Sequence, residues 1–110
     1  MTMASEELSD RIRNALGHLP MSEKKMFGAR AFMLNGNMVV ATFRDGSLLV
    51  RVGKDGMKEA LALPGTSRME MGERTMGGFV VVSGDALEDD AELSAWLERG
   101  RAVAASLPPK

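Results

Sequence analysis

The 110-residue chain has the length of one domain, and the sequence predicts a single domain over residues 1–110. With 45% hydrophobic and 26% charged residues and a net charge of −1, it has the composition of a globular protein, and nucleic acid is not expected as a direct ligand. The absence of cysteine excludes disulfides, thiolate nucleophiles and thiolate metal ligands. No apolar run reaches membrane-spanning length and no signal-peptide pattern is present, so we expect a cytoplasmic protein without membrane contact.

The first segment predicts a helix. Ser5 is a plausible N-cap, and two glutamates follow it in the first turn, where the helix dipole favours negative charge. Gly17 and Pro20 supply the stop signal. Apolar residues at helical spacing form one stripe: Leu8, Ile12, Ala15, Leu16 and Leu19.

Two hairpin signals follow, Asn35-Gly36 and Asp45-Gly46. Both dipeptides favour two-residue type I′ turns, because Asn, Asp and Gly tolerate positive φ. They predict a three-stranded meander, with Leu34 facing Asn37 and Arg44 facing Ser47. The predicted strands are Lys25–Leu34, Asn37–Arg44 and Ser47–Val52.

Alternation along these strands sorts the side chains into two faces. The first is bulkier, so we assign it to the helix-covered core: Gly28, Arg30, Phe32, Leu34, Val39, Ala41, Phe43, Leu48, Val50 and Val52. The second is smaller and carries Phe27, Ala29, Ala31, Met33, Met38, Val40, Thr42, Arg44, Leu49 and Arg51.

The rest of the chain completes an α+β pattern. A short helix is predicted over Asp55–Leu63, strands over Ser67–Glu73 and Phe79–Ser83, and a last helix over Asp89–Ser106. The order α-β-β-β-α-β-β-α predicts a five-stranded antiparallel sheet with its helices on one side.

Several of these residues, at their spacing, resemble the N-terminal domain of the TfoX/Sxy competence regulators. The resemblance spans about Ser5 to Leu107 and is carried by Lys24-Lys25-Met26-Phe27-Gly28, Phe32, Asn35-Gly36, Met38, Leu48 with Val50-Arg51-Val52, Gly78-Phe79, and Asp89-Asp90 ahead of a Trp-containing helix. It implies a compact two-layer α+β domain, similar in layout to secretion-chaperone-like folds. Longer members add a helical C-terminal domain and help to switch on competence genes alongside the cyclic-AMP receptor protein. Because the chain stops at Lys110, we expect a stand-alone N-terminal domain, for which the resemblance implies a transcription-linked role and no catalytic residues.

No residue pattern points to catalysis. The single histidine, His18, lies beside helix-ending residues, and no nucleophile elbow, P-loop or dinucleotide fingerprint occurs. Met69, Met71 and Met76 have the spacing of a soft-metal site, but two methionines on one strand face are also typical of a core strand, and without Cys or a nearby His we favour core packing. We therefore expect a protein that is not an enzyme and has neither a cofactor nor a metal site.

The second face is the main functional signal. Helices on one side of the sheet leave the other side uncovered, and a contiguous apolar patch in water marks an interaction site. Methionines suit adaptable protein contacts. We predict that this face forms a homodimer or docks a regulatory protein; the alternative is that the terminal helix wraps onto it. The predicted interaction residues are Ala29, Ala31, Met33, Met38, Val40 and Leu49, and a Val40→Glu change is expected to dissociate a dimer.

Five cations form a second candidate, an anion-binding site: Lys24, Lys25, Arg30, Arg51 and Arg74. Arginine suits bidentate contact with phosphate or carboxylate. Solvated charges or structural ion pairs are the alternative, because the predicted register places Arg30 and Arg51 on opposite faces. Arg51 stands out, since a charge among apolar neighbours needs a carboxylate partner or a ligand.

Overall fold

The computed structural model describes residues 2–17, 21–26, 29–71 and 74–108, with side chains for all of these except 2–6, 26, 69–71 and 74–76. Its helices are α1 (Thr2–Leu16), α2 (Gly53–Leu61) and α3 (Asp90–Ala105), with a short 3-10 helix over Gly84–Leu87. Its strands are β1 (Met21–Met26), β2 (Ala29–Leu34), β3 (Asn37–Thr42), β4 (Leu48–Arg51), β5 (Thr66–Met71) and β6 (Arg74–Val82).

All the strands join one antiparallel sheet in the order β1-β2-β3-β4-β6-β5. The α+β class and the antiparallel sheet are confirmed, but the predicted count of five strands and the predicted order α-β-β-β-α-β-β-α are wrong, because four strands separate α1 from α2. The predicted strand Lys25–Leu34 corresponds to β2 and the end of β1, which pair with each other. The sequence of β1, Met-Ser-Glu-Lys-Lys-Met, is too polar to give an apolar strand signal. Its lysines suit an edge strand, because charge there discourages pairing with other chains.

All three helices contribute to one core on one side of the sheet, which we call the helix side. α3 contacts β3 and β4, and α2 contacts β5 and β6. Asp89 caps α3, since its Oδ1 accepts a hydrogen bond from the backbone N–H of Ala91 at 2.8 Å. The buried helix-side core contains Leu8, Ile12, Leu16, Phe32, Leu34, Val39, Val40, Leu48, Val50, Val52, Ala60, Val80, Val82, Leu87, Leu93, Trp96, Leu97 and Ala104.

The first hairpin forms as predicted. Leu34 pairs with Asn37, and Asn35 and Gly36 have φ values of 54° and 83°. These are the two positive φ angles that a type I′ turn requires.

A β-bulge changes the register directly after this turn. Met33 pairs with Met38, but the next pair is Phe32 with Val40, so β3 contains one extra residue. Every later side chain of β3 therefore moves to the face opposite the predicted one. The assignment of Val40 to the interaction face is wrong, since it is buried in the helix-side core. Thr42 moves with it, and its hydroxyl lies 3.1 Å from that of Ser9 on α1.

The second hairpin has a three-residue loop instead of the predicted two-residue loop. Thr42 pairs with Leu48, and the Phe43 N–H donates to the carbonyl of Ser47 at 3.0 Å, so Arg44 does not face Ser47. Gly46 has a φ of 86°, and its N–H donates to the Phe43 carbonyl at 3.0 Å. This is the arrangement of a type I turn followed by a left-handed glycine. An Asp-Gly pair suits either loop, so the dipeptide alone did not fix the register.

Candidate interaction surface

The side of the sheet away from the helices carries its own apolar cluster, which we call the open face. Ala31, Ala41, Leu49 and Phe79 are buried at its centre. Half-buried Met33, Met38, Phe43 and Val81 pack against them. This cluster contains strand and hairpin residues and no described helix residue. The alternative in which the terminal helix covers this face is wrong, since the buried residues of α3 belong to the helix-side core.

Five of the six predicted interaction residues lie on this face. Ala31, Met33, Met38 and Leu49 belong to its cluster, and half-buried Ala29 shares their side of β2. Val40 is the sixth and lies on the helix side.

Two methionines lie side by side on the open face. Met33 on β2 and Met38 on β3 are a directly opposed cross-strand pair next to the first hairpin. Both side chains are half-buried, so part of each thioether side chain remains available to a second molecule. Unbranched methionine side chains adapt their shape to a partner surface at low cost.

Arg51 lies beside these methionines with a fixed orientation. Its Nε donates a hydrogen bond to the carbonyl of Met38 at 2.5 Å, and its guanidinium carbon lies 4.7 Å from the ring centroid of Phe79. Phe79 is its cross-strand partner on β6. A guanidinium over an aromatic face gains cation–π attraction, so ring and backbone together hold the side chain in place.

No carboxylate pairs with Arg51 among the residues that the structure describes. Partial burial lowers the pKa of Arg51 from its ordinary value, because removal from water disfavours the charged form. Arginine nonetheless remains protonated at neutral pH. The open face therefore contains an oriented cation whose Nη1 and Nη2 groups have no partner within the described part of the chain.

The other candidate cations do not gather around Arg51. Arg30 lies on the helix side, where it forms a 3.1 Å ion pair with Glu23. Lys25 is its cross-strand partner, so it shares that side. Lys24 pairs with Ala31, which places it on the open face at the edge of the sheet. The side chain of Arg74 lies outside those described.

A network of ion pairs joins α1 to β1 and β2. Glu23 accepts hydrogen bonds from Arg13 Nε at 2.7 Å and from Arg30 Nη1 at 3.1 Å. The hydrogen bond from Arg13 is the main reason that the pKa of Glu23 falls from 4.5 to about 2. Arg30 is thus engaged in a structural contact.

A shallow cleft lies between α1 and α3, with a volume of about 310 Å³. Arg11 and Asp90 form a 2.7 Å ion pair across it. Asp90 remains 92% exposed, so the pair is solvated. None of the described polar residues that line it is buried, so the cleft is a weaker candidate than the open face.

Sequence reasoning missed four residues of the open face, for two reasons. Alternation assigned Ala41 and Phe43 to the wrong face, because β3 contains a bulge that no glycine in the sequence indicates. Phe79 and Val81 lie on a strand that the sequence predicts, but the sequence does not indicate which strand it pairs with. Alternation over Phe79–Ser83 was the available signal, since it places Phe79 and Val81 on one face.

Other predicted sites remain without structural description. His18 lies outside the described residues, as do the side chains of Met69, Met71 and Met76. Within the described ranges, no three His, Asp or Glu side chains are grouped to hold a metal ion. None of the described helices has the length and apolar character needed to cross a membrane.

A family model described as the TfoX N-terminal domain matches residues 14–104. No curated protein matched the chain. No solved structure matched it either.

Proposed function

The chain belongs to the TfoX N-terminal domain family, and from this premise we propose that it is a non-enzymatic interaction domain that docks another protein on its open face. One observation carries the proposal: the three α-helices that the structure describes pack on one side of the sheet, and the other side is apolar at its centre. A contiguous apolar sheet surface in water is typical of a protein contact site.

The chemistry of this face favours a protein partner. Half-buried Met33, Met38 and Phe43 pack against the buried residues of this face and provide adaptable apolar contacts. An apolar sheet surface provides contact area for another protein, whereas a small-molecule site is usually concave. The family resemblance implies a transcription-linked role, in which the protein that docks on the open face is a transcription regulator.

The direct test compares affinity baits that differ at one apolar position. We expect the wild-type chain and a Leu63→Glu variant to recover the same stoichiometric partner from the native host lysate, and a Met33→Glu variant to lose it. Leu63 is the matched control because it is apolar, 38% exposed and outside the open-face cluster. Equal recovery by all three baits, measured by quantitative mass spectrometry, would contradict the proposal.

A homodimer through the open face is one form of this function, and it can be tested separately. Sedimentation velocity tests it with the same three proteins. If a second copy is the partner, the wild type and Leu63→Glu are dimers and Met33→Glu is a monomer. A monomer in all three proteins would exclude a second copy as the partner.

A second candidate function is a small-anion-binding module, which the uncompensated Arg51 favours. It predicts that inorganic phosphate raises the melting temperature of the wild type and not that of Arg51→Gln, because a ligand that binds the folded state stabilises it. Equal shifts in the two proteins would contradict it.

A further inference from the structure

The described side chains of the open face carry a net positive charge, although the chain as a whole has a net charge of −1. Its described side chains include two cations, Arg51 and Lys24, and no carboxylate. The position of Lys24 follows from its pairing with Ala31, and that of Arg51 from its pairing with Phe79. Any molecule that covers this face must therefore compensate a charge at Arg51, because burying an unpaired cation is costly.

A second copy of the chain does not supply that compensation. Two open faces brought together would gather two copies of Arg51 and two of Lys24, with no acidic group among the described side chains of either face. Like charges placed against each other weaken an interface. Charge complementarity therefore favours a different occupant over a homodimer.

Nucleic acid does not fit this arrangement either. Lys24 lies three strands away from Arg51, about 14 Å across the sheet, since neighbouring strands are about 4.8 Å apart. The surface between them is apolar, with Ala31, Ala41 and Leu49 at its centre. A phosphate backbone binds rows of cations, whereas an isolated cation among apolar groups suits one carboxylate within an apolar segment.

Arg51 is held ready for such a carboxylate. Its Nε is occupied by the Met38 carbonyl, and its guanidinium lies over Phe79. The two terminal nitrogens remain available, and a guanidinium can bind both oxygens of one carboxylate through them. A side chain that is already oriented loses less conformational freedom on binding.

From this geometry we infer that the open face binds a segment of a partner protein that places one Asp or Glu carboxylate, flanked by apolar residues, on Arg51. The inference rests on the proposed function, because it specifies what the docked segment contains. Met33, Met38 and Leu49 contact the apolar residues of the docked segment, and the ring of Phe79 packs against the guanidinium of Arg51. Lys24 lies at the periphery and adds a weaker, solvent-screened attraction.

The test begins with a library of random 16-residue peptides displayed on phage and selected on the wild-type chain. The most enriched peptide is synthesised together with a twin in which its Asp or Glu becomes Asn or Gln. Fluorescence anisotropy then measures the affinity of both peptides for the wild type and for the Arg51→Gln, Arg51→Lys, Met33→Glu and Leu63→Glu variants.

We expect the neutral twin to bind the wild type about ten- to hundredfold more weakly, as is usual for loss of a charged hydrogen-bonded pair. The same peptide change should matter little in Arg51→Gln, because the partner charge is already absent there. Arg51→Lys should retain part of the effect. If Arg51→Gln does not fold, the affinities of the two peptides for the wild type and for Arg51→Lys still test the inference.

Two results would overturn the inference, and only the second would also contradict the proposed function. Peptides that bind the wild type and Leu63→Glu but not Met33→Glu, yet tolerate loss of their carboxylate, would refute the role of Arg51 and preserve the open face as a docking surface. Peptides that bind Met33→Glu and Leu63→Glu equally well would refute the proposed function together with the inference.

Discussion

Single residues determine how closely the two layers of this protein approach. Gly100 lies on α3 where the helix passes over the bulge in β3. A Cβ atom built on it would lie 2.8 Å from the carbonyl oxygen of Val39 and 3.1 Å from its Cγ1. Backbone cannot yield as a flexible side chain does, so this position requires a glycine for packing.

We therefore expect Gly100→Ala to destabilise the protein. Overpacking of this kind costs about 1–3 kcal/mol, which outweighs the gain of about 1 kcal/mol in helix propensity. Urea unfolding measures the change. The matched control is Gly56→Ala on α2. A Cβ built there would lie 3.5 Å from the Cβ of Val52, its nearest neighbour, so no clash opposes the gain in helix propensity. Equal stability changes in the two variants would contradict this account.

At the level of secondary-structure elements, an ion-pair network fixes α1 against the edge of the sheet. Glu23 on β1 joins Arg13 on α1 to Arg30 on β2, and its pKa is lowered to about 2. A carboxylate whose pKa is lower in the folded state stabilises that state above its unfolded pKa. This contribution is lost as the pH falls toward the folded pKa.

Glu23→Gln is therefore expected to lower the free energy of unfolding at pH 7 by about 1 kcal/mol or less, since the side chains are about a third exposed and solvent screens them. The difference from wild type should shrink as the pH is lowered from about 4.5 toward about 2. Urea titrations across this range measure it. Glu59→Gln is the control, because the Glu59 carboxylate is 74% exposed in its pair with Arg99. A difference that persists unchanged at low pH would contradict the assigned role.

The element scale also shows how much of the fold the sequence predicts. The Asn35-Gly36 turn was predictable because its dipeptide nearly dictates the backbone, and α3 because its cap and apolar spacing agree. The bulge beside Val39 was not, since no glycine or other local signal accompanies it. A one-residue slip reverses the two faces of a strand, so the predicted interaction face wrongly included Val40 and lacked Ala41 and Phe43.

At the scale of the whole molecule, the two sides of the sheet have different roles. The helix side provides the stability, because helices and strands share one buried core there. The open face has no helix over it among the described residues, and its larger side chains are only half-buried. Substitutions on the helix side should therefore reduce stability, whereas substitutions on the open face should reduce binding and leave the fold intact.

Two Glu substitutions test this sidedness. Val40 is fully buried in the helix-side core, so Val40→Glu should unfold the chain, because an unpaired buried charge costs several kcal/mol. Met33→Glu should leave the melting temperature within about 4 °C of wild type, which corresponds to at most about 1 kcal/mol for a domain of this size. Circular dichroism melting measures both. A folded Val40→Glu with an unfolded Met33→Glu would contradict the assignment of the two sides.

The most direct test of the open face as the interaction surface is the methyl spectrum of the chain labelled with [methyl-13C]methionine. It is recorded with and without the peptide that the display selection enriches. Met33 and Met38 report on the open face, and Met57 and Met21 report on the helix side. We predict that the Met33 and Met38 resonances shift on binding while those of Met57 and Met21 stay in place. Shifts at Met57 and Met21 with unchanged Met33 and Met38 would contradict the account.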